Sequence, residues 1–474
     1  MLARDDVLRV LLRIAGELLI RSSQTKRYLD EIRPGEAGEY WQLAETIRAA
    51  LEGIEQLLPE TVRAVRSGSD KAVTPEGIEV LYRLLEKFSA WFTTIHELLV
   101  YLPQSAVTPE SKATLRSSFG ALYEDLSPSI ILGSLFNALE FDFFQLIRTR
   151  LPGFDEIDIR ETENIVLQLA ICDRDAPASW AILGHELGHA IDQKFAITEK
   201  IVPKFVTDPN SAPFKILSSW CQEFCADLLA ARALGPSPIL ALLSLEYCVF
   251  PLRPVFYASK THPATSWRLA AVTSFLRRLY ERKDYLQVER EFYALAALYS
   301  LERSEPDEAR RRSLEEADRL QFRHVALPLV RELQREIVLL NIPAHNLNAV
   351  SIERCSDRLY DGLPVSAQGK SKRELREALT DYKSESYRTK DERVVAFKRL
   401  AADFKEEPLD IPAILMSGQE LRLKLLTPSP ATEMDLGVLE GIQKLTGGMR
   451  RLDELVSASI NMSGVHKQLR TRQG

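Results

Sequence analysis

The sequence AILGHELGHAIDQ, residues Ala181 to Gln193, contains two of the seven histidines of the chain. His185 and His189 are four residues apart, and Glu186 directly follows the first of them. Residues four apart lie on one face of a helix, so both imidazoles can reach a single Zn²⁺ at about 2.0–2.1 Å. Glu186 projects about 100° away from His185, which keeps it off the metal but within reach of a water beside it. The spacing predicts a metal centre and a general base on one helix.

A second His-Glu pair in the chain repeats the first two residues of the H-E-x-x-H motif but lacks its second histidine. His96 and Glu97 begin the sequence HELLV, in which position 100 is Val. We interpret His96 as an ordinary helix residue. An accidental H-E-x-x-H in a chain of this composition has a chance of roughly one in a hundred, so the motif at His185 favours a metal site.

A catalytic zinc needs a third protein ligand, and the sequence SSWCQEFCADLLAARALG offers one. Glu223 and Asp227 are four residues apart and lie among apolar neighbours, which leaves little room for the alternative, a solvated acidic face. We expect Glu223 to be the third ligand and Asp227 to accept a hydrogen bond from the outer nitrogen of a ligating histidine. The small residues Ala226 and Ala230 would permit close approach of the two helices.

A third polar group follows in the sequence KTHPATSWRLAAV. His262 stands before Pro263, at the start of a helix predicted to run to about residue 280, where an imidazole N–H could donate to an oxyanion. Arg268 could pair with Asp227, with Glu223 or with a substrate carboxylate. Tyr257 is a further candidate donor. The alternative is a helix-capping histidine and a surface arginine.

The combination of HELGH with a later E-x-x-x-D resembles the gluzincin metallopeptidases. His262, Pro263 and Arg268 form H-P-x-x-x-x-R, which is similar to the metallopeptidase family that includes the CAAX prenyl proteases and the bacterial heat-shock membrane proteases. The resemblance covers about residues 160–275. It implies a zincin-like core in which the histidine and the arginine after the zinc ligands line the active site and engage substrate or transition state.

The rest of the chain departs from that family, because no membrane span is visible in the sequence and helical regions flank the core on both sides. We predict a mainly α-helical protein with a helical region over 1–150, a metallopeptidase core with a small β element over 151–283, and a second helical region over 284–474. The resemblance therefore leaves the substrate class open and gives no reason to expect a prenylated substrate.

Four segments carry expectations about secondary structure. The N-terminal sequence, residues 1–20, predicts an amphipathic helix, because Asp and Arg residues interrupt its apolar run. Residues 129–147 are apolar but contain polar residues, which indicates a buried helix and not a membrane span. Residues 164–172, NIVLQLAIC, predict a strand, either an edge strand that could bind extended substrate or a buried structural strand. Residues 196–212 predict a loop between the two zinc helices.

Bulk composition sets broad limits on partners and compartment. The 474 residues carry a net charge of −6, which argues against a nucleic-acid partner. Five irregularly spaced cysteines suggest a reducing compartment, so we expect a cytoplasmic protein. Cys221 and Cys225 lack a second ligand pair, which favours small buried side chains over metal ligands.

These observations predict a zinc metallopeptidase that acts on protein or peptide substrates, an endopeptidase rather than an exopeptidase. Zn²⁺ would be held by His185, His189 and Glu223, with Glu186 as general base and His262, joined by Tyr257, as oxyanion donor. The alternative is a non-catalytic or signal-gated interaction protein on the same core, whose helical flanks could bind a regulatory partner. The intact Glu186 counts against a purely structural site, which needs no base.

Overall fold

The computed structural model of the protein describes most of its first 280 residues and several later segments. The described residues are 4–31, 41–66, 75–99, 109–133, 165–170, 173–249, 256, 258–280, 316–343, 355, 411–426, 452–461 and 463. Helices dominate these residues, as the periodicity of the sequence predicts. The elements are α1 (Arg4–Glu31), α2 (Trp41–Arg66), α3 (Pro75–Leu99), α4 (Pro109–Phe119), α5 (Ala121–Leu126), β1 (Ser129–Gly133), β2 (Val166–Ala170), α6 (Pro177–Trp180), α7 (Ile182–Phe195), α8 (Ile197–Ile201), a 3₁₀ turn (Val202–Lys204), α9 (Ala212–Leu234), α10 (Ser237–Val249), α11 (Thr265–Tyr280), a π-helical turn (Phe322–Ala326), α12 (Leu327–Leu339) and α13 (Ile411–Leu426).

The two strands form a parallel pair in which Ser129 lies opposite Val166 and Gly133 opposite Ala170. The predicted strand is thus confirmed over β2. The expected buried helix over 129–147 is wrong at its start, because residues 129–133 form β1, and residues 134–147 lie outside the described residues. A short apolar run does not distinguish a buried helix from a buried strand, and the two β-branched isoleucines at 130 and 131 favour the strand.

Helices α7 and α9 pack against each other at very short range. A Cβ atom added to Gly188 would lie 2.7 Å from the Ala226 Cα and 2.9 Å from its carbonyl oxygen. A Cβ atom on Gly184 would lie 2.5 Å from the Leu234 side chain. The two glycines therefore let the backbones of the helices approach as closely as the small residues of α9 allow, which places His185 and His189 opposite Glu223.

The connection between these helices is more ordered than the predicted loop over 196–212. Ala196 ends α7 in a left-handed conformation with φ 51°, and α8 and the 3₁₀ turn follow directly. Asp192 accepts hydrogen bonds from the Thr198 backbone N–H at 2.8 Å and from its hydroxyl at 2.7 Å. Ile197 and Ile201 are buried. The expectation of a loop holds for residues 205–211 only, because apolar side chains and the Asp192 carboxylate anchor the preceding segment.

Both ends of α9 carry residues that are typical of helix ends. The Ser211 hydroxyl accepts a hydrogen bond from the Phe214 N–H as the N-cap, and Gly235, with φ 64°, follows the last residue. The helix after His262 was expected to start directly at Pro263, but this helix, α11, begins at Thr265. His262 therefore lies in the turn before the helix and does not cap it.

Helix α1 confirms the predicted N-terminal helix, and three charged side chains in its described part do not lie on a solvated face. Arg13, Glu17 and Arg21 are all buried. The Arg21 guanidinium lies 3.3 Å from Asp173, in the segment between β2 and α6, and Glu17 pairs with Arg422 of α13 at 2.9 Å. Glu17 and Arg21 are thus paired with charged residues of other segments inside the protein. None of the helices in the described ranges combines the length and hydropathy that a bilayer crossing requires.

Candidate metal centre

Three predicted ligands converge where α7 faces α9. One donor atom from each of His185, His189 and Glu223 lies within 4.8 Å of the other two, and this set could hold a metal ion. The two Nε2 atoms are 3.1 Å apart. Glu223 Oε2 lies 3.6 Å from His185 Nε2, and Glu223 Oε1 lies 3.7 Å from His189 Nε2.

These spacings fit the donor set of a small divalent cation. Bonds of about 2.0–2.1 Å in a tetrahedral arrangement place the donor atoms about 3.3 Å apart. The observed separations of 3.1, 3.6 and 3.7 Å bracket that value. Two imidazoles and one carboxylate also form a donor set that is typical of a catalytic site with an open position.

The protonation of two donors, His189 and Glu223, favours binding of a cation. Burial would lower the pKa of His185, but the neighbouring Asp227 and Glu186 carboxylates outweigh burial and raise it. Burial, together with the neighbouring His185 imidazole, lowers the pKa of His189 to about 4, so its ring is neutral at neutral pH. Burial alone would raise the pKa of the Glu223 carboxyl, but the Arg268 guanidinium and the surrounding imidazoles outweigh it, and the pKa lies below its ordinary value. A neutral imidazole and an ionised carboxylate are the forms that bind metals.

Asp227 lies behind the ligands, between His185 and Arg268. Its Oδ1 atom is 2.9 Å from His185 Nδ1, within hydrogen-bond distance although the ring N–H is not well aligned with the oxygen. Arg268 donates to both carboxylate oxygens, from Nε at 2.7 Å and from Nη2 at 2.8 Å. Burial would raise the pKa of Asp227, but Arg268 and His185 hold it well below its ordinary range. The carboxylate therefore stays charged and orients the His185 ring.

Arg268 contacts both acidic residues of α9 that the sequence suggests as its partners, and it is not a surface arginine. Its side chain is buried, makes the two bonds to Asp227, and places Nη1 3.5 Å from Glu223 Oε2. These contacts use the guanidinium to hold two acidic side chains of α9. We therefore assign Arg268 to the support of the ligands.

Glu186 and His262 lie at the edge of the three-donor cluster. The Glu186 carboxylate is buried, and its Oε1 atom is 3.9 Å from His185 Nε2. His262 Nε2 is 3.5 Å from Glu223 Oε1, and the His262 side chain is 43% exposed. A buried acid thus lies beside one donor atom of the cluster, and a partly exposed imidazole lies beside another.

Sequence reasoning missed the residues that hold His262. Thr261 Oγ1 lies 2.9 Å from His262 Nδ1, and Ser259 Oγ accepts a hydrogen bond from the His262 N–H at 2.8 Å. The only signal in the sequence is a Ser and a Thr shortly before the histidine, which is common in ordinary turns. Tyr257, the other predicted donor, lies outside the described residues.

Cys221 and Cys225 are buried free thiols on α9, as the sequence suggests. Within the described part of the chain, neither belongs to a group of side chains that could hold a metal.

Comparison with known proteins adds no assignment. No protein-family profile, no curated protein sequence and no solved structure matches the chain.

Proposed function

We propose that the protein is a zinc-dependent peptidase that cleaves within polypeptide chains. The observation that carries this proposal is the convergence of His185, His189 and Glu223 with the buried Glu186 carboxylate beside them. Three protein ligands leave a fourth coordination position open, as in catalytic zinc sites. A buried carboxylate that is positioned beside the ligands supports a hydrolytic role.

His185, His189 and Glu223 would hold the ion. A zinc ion there would polarise the substrate carbonyl and lower the pKa of the attacking water. Asp227 and Arg268 keep the His185 ring and the Glu223 carboxylate in position, so that the donors are preorganised before the ion enters.

Glu186 performs the proton transfers. Its carboxylate accepts a proton from the attacking water and delivers it to the leaving amine nitrogen, so that one residue acts first as base and then as acid. Burial among the ligand-bearing helices favours this exchange, because it limits competition from bulk water.

His262 stabilises the negative charge that develops on the carbonyl oxygen. Donation of a hydrogen bond by the Thr261 hydroxyl to Nδ1 would place the ring proton on Nε2, the atom that lies beside Glu223. The His262 side chain is 43% exposed, and a preorganised donor at this position would lower the barrier to hydrolysis.

The experiment that tests this function compares wild type with Glu186→Gln on a peptide library made from cell extract. New peptide termini are counted by mass spectrometry, and bound metal is measured in the same samples. We expect Glu186→Gln to retain its metal and to lose cleavage by several orders of magnitude, because the amide cannot accept the proton.

Glu199→Gln is the matched control, since Glu199 is an exposed glutamate on the short helix α8. This variant should cleave as wild type does. Equal numbers of new termini from wild type and Glu186→Gln would contradict the role of Glu186 and, with it, the proposed hydrolysis.

A further inference from the structure

Two tryptophans lie beneath the turn that carries His262. Trp220 is on α9, one helical turn before Glu223, and Trp267 is on α11, next to Arg268. Their ring centroids are 5.4 Å apart with an interplanar angle of 85°, an edge-to-face contact. Trp267 is buried. The pair therefore joins the helix of the third ligand to the helix that follows His262.

Trp220 also holds the turn itself. Its indole Nε1 donates to the Ser259 carbonyl oxygen at 2.8 Å. Ser259 and His262 close the turn, because the Ser259 N–H donates to the His262 carbonyl oxygen at 2.9 Å and the His262 N–H donates to Ser259 Oγ at 2.8 Å. With Thr261 beside Nδ1, these contacts leave Nε2 of His262 near Glu223.

Trp267 extends the same arrangement into the C-terminal flank. Its indole Nε1 donates to Asp318 Oδ1 at 2.7 Å. The Phe322 ring, at the start of the π-helical turn, lies 6.4 Å from the Trp267 ring. Segment 316–339 therefore contacts the tryptophan pair through a buried hydrogen bond and a ring contact.

We propose, on the basis of the hydrolytic function proposed above, that Trp220 and Trp267 are positioning residues that hold His262 beside Glu223. The hydrogen bond from Trp267 to Asp318 links the tryptophan pair to segment 316–339, so this segment helps to support the active site. A half-exposed histidine in a turn would otherwise sample several side-chain orientations. The bond from α9 to the turn selects the orientation in which Nε2 faces the ligands.

Hydrogen exchange tests the positioning without any substrate. The amides of Ser259 and His262 should exchange about five- to tenfold faster in Trp220→Phe than in wild type, because the variant keeps an aromatic ring but loses the bond to the turn. Trp180→Phe is the matched control. Trp180 is also buried and donates to the carbonyl oxygens of Asp173 and Arg174, so this variant loses a buried indole bond away from the turn.

Kinetics on a peptide found in the cleavage experiment supply the second readout. Trp220→Phe should keep the metal content and KM of wild type, while kcat falls about tenfold to a hundredfold, because the oxyanion donor is displaced. Trp180→Phe should keep kcat. Trp267→Phe loses the hydrogen bond to Asp318 and should likewise keep metal content and KM while kcat falls. This variant replaces Trp220→Phe in the test if Trp220→Phe does not fold.

Unchanged exchange in both Trp220→Phe and Trp267→Phe would overturn the proposal. Faster amide exchange in a variant whose kcat equals that of wild type would overturn it as well, since loosening the turn would then have no effect on the reaction. If wild type itself cleaves nothing, the proposed hydrolysis fails, and the exchange rates alone decide whether the tryptophans hold the turn.

Discussion

Gly188 and Ala226 mark the place where the two ligand-bearing helices touch backbone to backbone. A Cβ atom at position 188 would meet three backbone atoms of Ala226 within 3.2 Å, and backbone cannot rotate away as a flexible side chain can. Gly188→Ala should therefore separate α7 from α9, weaken zinc binding by at least tenfold, and cost about 1–3 kcal/mol of stability. Metal titration and thermal unfolding measure both effects.

Gly53→Ala is the matched control for this substitution. Gly53 also lies inside a helix, but nothing lies within 4 Å of the position its Cβ would take. The alanine should stabilise the protein by about 0.5–1 kcal/mol and leave zinc binding unchanged. A Gly188→Ala variant with wild-type zinc affinity would show that the close approach of the helices does not set the ligand geometry.

At the scale of elements, the sequence predicts the ligand-bearing helices better than their surroundings. The spacing of His185 and His189 is local, as is that of Glu223 and Asp227, and helix geometry places each pair on one face of its own helix. The end of α9 follows from Gly235, whose positive φ favours glycine. These features could be predicted because each depends on neighbours along the chain.

The remaining elements depend on contacts that the sequence does not show. Residues 129–133 form a strand because β2, more than thirty residues later, pairs with them. Residues 197–204 are helical because Asp192 and buried isoleucines anchor them. The hydrogen bonds from Arg268 to Asp227 and from Trp220 to Ser259 likewise depend on how α9 and α11 are placed in space.

At the scale of the whole molecule, a buried ion pair and two hydrogen bonds connect α13 to α1, α6 and α10. Arg422 of α13 donates to Glu17 of α1 at 2.9 Å. Gln419 donates to the carbonyl oxygens of Ala178 and Ser237, at 2.6 and 3.0 Å. These contacts cross both boundaries that the sequence suggests, near residues 150 and 283. Removing one member of such a buried pair would leave an uncompensated charge.

Asp453 makes this charged network sensitive to pH. Burial raises the pKa of its carboxyl to about 7. Arg422 offsets burial only in part, because its Nη1 stays 3.7 Å from Asp453 while its Nη2 binds Glu17. Arg27 also lowers the pKa, whereas the charges of Glu17 and Asp175 raise it, and the Gln24 side chain donates to Oδ2 at 3.2 Å.

An acid whose pKa rises on folding stabilises the folded state at low pH, and this contribution is lost as the pH rises from about 4 through about 7. Asp453→Asn mimics the protonated acid. Its melting temperature should match wild type near pH 4, exceed it increasingly up to about pH 7, and differ by a constant amount above that. Asp125→Asn, at an exposed aspartate, is the control and should show no such trend. A constant difference between wild type and Asp453→Asn across this range would contradict the raised pKa.

The most direct test of the metal centre is elemental analysis of the purified protein and its ligand variants. Wild type should carry about one zinc per chain, and His185→Ala, His189→Ala and Glu223→Ala should each lose it, since three ligands are the minimum for such a site. His96→Ala, which alters the His-Glu pair without a second ligand, should retain it. Stoichiometric zinc that survives in His185→Ala would contradict the assignment of the site and the account of function that depends on it.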